Sequence, residues 1–433
     1  MKRRDFIRLA SMAGIGASAF SWAGIARSAT PAQLGTVPTN TGITGRVVVI
    51  GGGMGGATVA KYLRLWGGSG VSVTLVERET AYTSNILSNL VLNGQRTISS
   101  LQYAYSNLAT RYGIKVLKGE VMAIDPVGHS VALADGSKLP YDRLVIAPGV
   151  DFDTFAGLES PTAQALVPHA WKAGPQTTQL RNMLLAMKPG EVFAMTIPAK
   201  PYRCPPGPYE RACVVADWLK KNRPGSKVVI LDANPGIIAE PVAFGNAFNV
   251  VHQGVVEYHP GVTINSIDAT TMSLNTSIGN LKAKVINAIP PHKAGKVVVA
   301  NGLANAGGRW AGVDVLTYQS TAAPGIHIIG DASATTQPKA GHIANQEAKV
   351  CADAIVRLLA GRSPDPSPIT NSACYSPITS DTASWLTAVF AYDPASGTML
   401  PVPGASGEAS ARSTENYKEM TKWFNTLMED SFA

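Results

Sequence analysis

A β-branched run, Arg46–Ile50, leads directly into Gly51-Gly52-Gly53-Met54-Gly55-Gly56 and then into a helical stretch, Ala57–Leu65. A second strand, Val71–Val76, follows and ends on Glu77 and Arg78. Strand, glycine turn, helix, strand and terminal acid together restrict a chain to the dinucleotide-binding βαβ unit. Each glycine answers a steric demand. Gly51 permits the tight turn, Gly53 lets the backbone approach a pyrophosphate, and Gly56 lets the helix lie close against the strand. The helix N-terminus offers amides and a partial positive charge to phosphate. Glu77 is placed to accept bonds from ribose hydroxyls, with Arg78 beside it as a further cofactor-binding candidate.

The rest of the composition narrows the class. With 433 residues, 45% of them hydrophobic, the chain has room for two or three domains with ample core. After the N-terminus no apolar run is long enough to span a bilayer, which excludes a polytopic membrane protein and predicts no span in the mature chain. The net charge of +8 suggests nucleic acid at first sight. Five of the 37 lysines and arginines, against one of the 29 acids, fall in the first 29 residues, so half of that charge sits there. No basic cluster remains elsewhere, and nucleic acid is excluded as a partner. The seven histidines are scattered with no metal-ligand spacing, so no metal site is expected.

Two later segments choose the cofactor. Tyr141–Gly149 resembles the short strand and turn that close the FAD domain of disulfide-reductase-like flavoproteins, with Ala147 and Gly149 at the cofactor. Gly325–Ala332 resembles the late strand of those proteins that ends in Gly330-Asp331, whose aspartate binds the ribityl chain. The following stretch, Pro338–Ala360, reads as a helix whose N-terminus faces the flavin, with Lys339 and His342 near the pyrimidine edge. A second nucleotide-type unit begins at Glu191–Ile197 and continues through a helix, Arg211–Lys221, and a strand, Lys227–Asp232. Its phosphate loop is missing. Pro201–Pro208 holds four prolines and one glycine, and proline has no N–H to offer a pyrophosphate. NAD(P)H is therefore not expected to bind.

That loop carries Cys204, with Glu210 six residues on. Cys213 and Cys351 lie in apolar helical sequence and read as buried thiols, whereas Cys204 and Cys374 lie in turn or loop sequence. The residues themselves leave a structural staple and a reactive pair both open.

Tyr202-Arg203-Cys204-Pro205-Pro206-Gly207-Pro208-Tyr209-Glu210-Arg211-Ala212 resembles the signature of the flavoprotein subunit of flavocytochrome c sulfide dehydrogenase. Val49–Lys61, Pro168–Gly174, His259–Gly261, Ile289–Gly295, Pro338–Gly341, Cys374–Ser376 and Lys422–Phe432 resemble further segments of that family, in family order. The resemblance implies an α/β, disulfide-reductase-like flavoprotein with two Rossmann-like domains and a small C-terminal flavin-binding or interface domain. The FAD domain is expected over 45–158 and 292–360, the degenerate nucleotide domain over 159–291, and the C-terminal domain over 361–433. It also implies a redox-active disulfide between Cys204 and Cys374, with Glu210 handling protons. Hydrosulfide is then the substrate and a separate c-type cytochrome subunit the electron acceptor, in a heterodimer. A sulfide:quinone oxidoreductase and an accessory flavoprotein of a thiosulfate-oxidising system are the competing readings.

One departure stands out. Family members tie the flavin to a cysteine, and here the matching segment, Tyr82–Asn89, contains none, so FAD is expected to be noncovalent. Arg3-Arg4-Asp5-Phe6-Ile7, the apolar run Leu9–Ile25 and the small residues to Ala29 resemble a twin-arginine export signal. The mature chain is accordingly expected in the periplasm, after a linker over 30–44.

Overall fold

The computed structural model describes residues 35–433. The export signal assigned to residues 1–29 lies outside the described residues. The strand Gly45–Ile50 sits near the centre of a seven-stranded sheet, parallel to Val71–Glu77 on one side and to Arg143–Ile146 on the other. Lys115–Lys118 extends the sheet beyond Val71–Glu77, and Ile326–Ile328 extends it beyond Arg143–Ile146. Its successive valines point to opposite faces. Val47 and Val49 enter the core formed with the helices Met54–Gly67 and Gly341–Leu359, while Val48 and Ile50 enter the core on the other face. Burial on both faces is why this strand reads as an unbroken apolar run.

A separate four-stranded parallel sheet has the order Val256–Pro260, Lys227–Asp232, Val192–Ile197, Val285–Ala288. The helix Gly207–Asn222 covers one face of it. This helix starts four residues before the expected Arg211. Pro206 and Pro208 fit its first turn, where the missing N–H is an unused donor in any case. The helix expected from Pro338 instead begins at Gly341.

The C-terminal region is an antiparallel sheet followed by the helix Thr414–Phe432. Here the expectation for Cys374 needs correcting. It lies not in a loop but within the strand Ile369–Pro377, opposite Leu386 of Ala383–Asp393. The segment's small polar residues carry little strand signal of their own. Nine consecutive pairings with the aromatic and β-branched neighbour impose the conformation.

The last helix returns to the first domain. Met420, Phe424, Leu427, Met428 and Phe432 are buried in the core beneath the glycine turn. Lys61, buried on the first nucleotide helix, donates to the carbonyls of Glu429 (3.2 Å), Asp430 (3.0 Å) and Ala433 (2.8 Å). A cation thus satisfies carbonyls that a helix end leaves without partners. Lys61→Met should lower stability by about 1–3 kcal/mol, the cost of leaving buried acceptors unpaired. Thermal melts of the wild type and variant at equal flavin content check this.

Candidate functional site

The carboxyl ends of the first sheet, the proline-rich loop of the second domain and the strand Ile369–Pro377 enclose a cleft of about 1170 Å³. The glycine turn forms its floor. Gly51 has φ 96°, and a Cβ there would stand 2.4 Å from the Ala147 carbonyl oxygen. A Cβ on Gly56 would stand 1.7 Å from the carbonyl oxygen of Gly51, so the helix closes on the turn only without a side chain. A Cβ on Gly53 would meet only the Tyr82 ring, at 3.9 Å. That backbone faces open cleft. The helix behind it has no side-chain cap and no acid in its first turn. Glu77 is held by N–H donors from Gly52 (2.7 Å), Arg78 (2.7 Å) and Glu79 (3.1 Å).

Asp331 reaches the cleft from the opposite side. Its Oδ1 is buried without a hydrogen-bond partner, and burial raises its pKa. Arg78, Ala147, Gly149 and Gly330 line the same cleft. Lys339 is not among these lining residues. Its ammonium donates to the carbonyls of Asp331 (2.9 Å) and Ser333 (2.8 Å) and lies 3.8 Å from the centre of the Trp310 ring. Two convergent carbonyls and the Trp310 ring hold the ammonium, with the Asp331 and Glu347 carboxyl groups nearby. His342 does line the cleft, and its Nδ1 accepts the Ala373 N–H at 3.0 Å.

Cys204, on the loop between the strand Val192–Ile197 and the helix Gly207–Asn222, and Cys374, within the strand Ile369–Pro377, line this one cleft. All four cysteines are unbonded thiols in the structure. Cys213 and Cys351 are fully buried and lie outside the cleft lining. Cys204 takes a left-handed φ of 60° in a loop bound on every side. Its N–H donates to the Lys339 carbonyl (2.7 Å), its carbonyl accepts from Gly207 (2.9 Å), and the flanking Arg203 N–H donates to His292 Nδ1 (3.0 Å). Burial pushes both thiols up, Cys374 to about 12, with the charges of Glu240 and Glu210 adding to the shift. The charge of Cys374 also raises Cys204. The two sulfurs therefore belong to one electrostatic site.

Glu210 is 7% exposed, and burial raises its pKa to about 8. The Asn89 amide donates to its Oε1 (2.9 Å) and to the Gly207 carbonyl (3.1 Å). Arg211 serves a different purpose. It donates to Asn89 Oδ1 (2.8 Å), Asn287 Oδ1 (2.9 Å) and the carbonyls of His169 and Ala170, and it stacks on Trp171. Asn89, Arg211 and Glu240 all escape sequence reasoning. Asn89 ends the cysteine-free segment Tyr82–Asn89 and Arg211 lies within the Tyr202–Ala212 signature, but neither position announces a role of its own.

The second nucleotide unit is filled by its own side chains. Asp232, which ends its second strand as Glu77 ends that of the first unit, accepts at Oδ2 from the hydroxyls of Tyr209 and Tyr258, both at 2.8 Å. Its Oδ1 accepts the Asn234 N–H (2.8 Å) and side-chain amide (2.7 Å).

Residues 177–290 match the family profile described as the central part of the sulfide dehydrogenase (flavocytochrome c) flavoprotein chain. Residues 366–432 match the flavin-binding profile of flavocytochrome c sulphide dehydrogenase, and 45–173 match pyridine nucleotide-disulphide oxidoreductases. The chain belongs to the flavocytochrome c sulfide dehydrogenase flavoprotein family. Its fold is that of the pyridine nucleotide-disulfide oxidoreductases.

A mitochondrial sulfide:quinone oxidoreductase of Dictyostelium discoideum is 24% identical over 299 residues, which are 66% of this chain and 65% of that protein. Ferroptosis suppressor protein 1 of Taeniopygia guttata is 35% identical over 108 residues, 24% of this chain and only 27% of its own length. Among solved structures, the sulfide:quinone oxidoreductase of Aquifex aeolicus superposes with a TM-score of 0.72 at 19% identity, covering 89% of this chain and 91% of the other. Putidaredoxin reductase in complex with putidaredoxin gives 0.64 at 18% identity, covering 90% and 94%. At such identities the superpositions show the fold alone.

For a flavoprotein of this family the cleft is chemically apt. Open backbone at Gly53, an uncapped helix start and the unpartnered Asp331 Oδ1 supply the contacts that the pyrophosphate and ribityl chain of FAD require. Tyr82, at the start of the cysteine-free segment, is held by stacking on Phe432, with ring centres 4.9 Å apart and planes 11° from parallel. Ser84, within that segment, is buried and donates to the Ile86 carbonyl at 3.1 Å. Asp331→Ala should weaken flavin binding by about 1–2 kcal/mol, roughly tenfold in affinity. The ratio of flavin to protein absorbance after dialysis checks this, with thermal melts as a control for folding.

Proposed function

We propose that this chain is the flavoprotein of a periplasmic sulfide dehydrogenase, oxidising hydrosulfide at a Cys204–Cys374 disulfide and delivering electrons to a c-type cytochrome subunit. The observation that carries the reading is the meeting of these two cysteines in the cleft that also holds Gly53 and Asp331. In this reading hydrosulfide attacks one sulfur of the disulfide. A new S–S bond forms, the Cys–Cys bond breaks, and its electron pair leaves on the other sulfur as a thiolate. The incoming sulfur is oxidised and becomes a persulfide, while the disulfide is reduced. FAD, held noncovalently, supplies the two-electron acceptor next to that thiolate and the outlet toward the cytochrome.

Glu210 is mostly protonated at neutral pH and sits at the start of the helix that follows Cys204. It stabilises the departing thiolate as a hydrogen-bond donor, and is lost as a donor when pH rises through about 8. Asn89 and the Arg211 staple hold it in place. The saturated Asp232 and the prolines at 205, 206 and 208 argue against NAD(P)H as the electron source. A cytochrome is favoured over a membrane quinone because the apolar side of the last helix is used inside the protein, through Met420, Phe424 and Leu427. No helix among the described residues is long and apolar enough to cross a membrane.

Anaerobic titration of the flavin-loaded protein with sulfide tests the proposal. Sulfide should bleach the oxidised flavin band, and Cys204→Ser and Cys374→Ser should each abolish the bleaching. Its rate should fall above a pH of about 8, and Glu210→Gln should be slower at neutral pH and lack that decline. Bleaching that persists without either cysteine, or equal bleaching by NADH, contradicts the proposal.

A further inference from the structure

Behind the cysteines, outside the lining of the cleft, lies a second carboxyl group. Glu240 is 1% exposed and takes a left-handed φ of 51°, just before the short helix Pro241–Asn246. Its Oε1 accepts from the Ser376 hydroxyl at 2.6 Å, whereas Oε2 is buried with no partner. A buried acid with a vacant oxygen is costly as a carboxylate unless it exchanges a proton. Ser376 stands two residues beyond Cys374 on one strand, so both side chains project from the same face.

The groups around Glu240 carry no compensating cation. Glu210 and Cys213 face it from the helix Gly207–Asn222 and Cys374 from its strand, and all three are raised by its charge. Glu408, from the edge strand Gly407–Glu408, raises Glu240 in turn. Burial is the largest effect, bringing Glu240 to about 7, while the nearby hydroxyls of Ser376 and Ser384 act in the opposite direction. Two buried carboxyl groups thus share the surroundings of the two sulfurs, Glu210 six residues after Cys204 and Glu240 hydrogen-bonded to the strand of Cys374 through Ser376.

We propose that Glu240 is a second proton-holding residue of the sulfur site, coupled to Cys374 through Ser376. It takes up the proton that the hydrosulfide sulfur sheds when it becomes a persulfide. The proposal rests on the reading above for its substrate. The balance closes, because the charge brought in by hydrosulfide ends on the thiolate and the proton moves from the persulfide sulfur to the Glu240 carboxylate.

The test does not need sulfide. The full-length, flavin-loaded protein is reduced with a phosphine under anaerobic conditions and alkylated with iodoacetamide over a series of pH values. Mass spectrometry follows the Cys374 peptide. Glu240→Gln removes the charge that opposes the thiolate, so Cys374 should alkylate about tenfold faster from neutral pH upward, the effect of a one-unit fall in its pKa. Glu240→Asp should restore the wild-type curve, and buried Cys351 should stay unreactive throughout. Ser376→Ala keeps the acid but loses the hydroxyl that favours its ionised form, so the inflection in Cys374 reactivity should move to higher pH. That variant also decides the matter if Glu240→Gln does not fold. Superimposable curves for the wild type and whichever of these variants fold, at equal flavin content, overturn the proposal. Failure of sulfide to bleach the wild-type flavin overturns the function instead, and leaves these curves readable.

Discussion

The N–H of Cys204 donates to the Lys339 carbonyl at 2.7 Å, and on this bond between two domains the chemistry of the site depends. Lys339 is fixed at its other end, where its ammonium holds the carbonyls of Asp331 and Ser333. One residue therefore spans from the acid facing the flavin site to the loop that carries the first sulfur. With Lys339 buried and its charge satisfied by two carbonyls and an aromatic face, neither end is free to drift. A loop rich in prolines adds stiffness, since each proline removes backbone freedom before folding begins. Cys204 is thus held in the lining of the cleft, to which the strand Ile369–Pro377 adds Cys374.

The two nucleotide-type units show how one scaffold is put to different uses. In the first, Glu77 is anchored by backbone amides while Gly53 leaves open space. In the second, Asp232 accepts four hydrogen bonds from its own domain, and proline replaces glycine in the turn. One of those four bonds comes from Tyr209, on the helix that holds Glu210. Those same residues build the wall behind the cysteines.

Much of this was legible in the chain itself. The glycine positions announce their roles because a Cβ at Gly51 or Gly56 would collide with backbone, and only glycine tolerates that. Asp331 and Cys204 stand in short motifs with strong local constraints. The failures have a common cause. Cys374 looks like a loop residue because its strand is imposed by a distant partner. Asn89, Arg211 and Glu240 act through contacts spanning many residues of chain, and no spacing rule encodes those. Local sequence reports turns and helix starts well, and reports tertiary polar networks poorly.

Two buried carboxyl groups and two thiols within one electrostatic neighbourhood are expensive to fold, and a protein selected for stability alone would replace them with apolar side chains. Their presence fits a site where charge appears and disappears during turnover. The most direct measurement is peptide mapping of the aerobically isolated, flavin-loaded protein without reductant, before and after anaerobic sulfide. The account predicts a cross-linked pair of peptides containing Cys204 and Cys374 that vanishes on treatment, in step with flavin reduction. Free thiols at both positions in the oxidised protein, or a bridge joining either to Cys213 or Cys351, would contradict it.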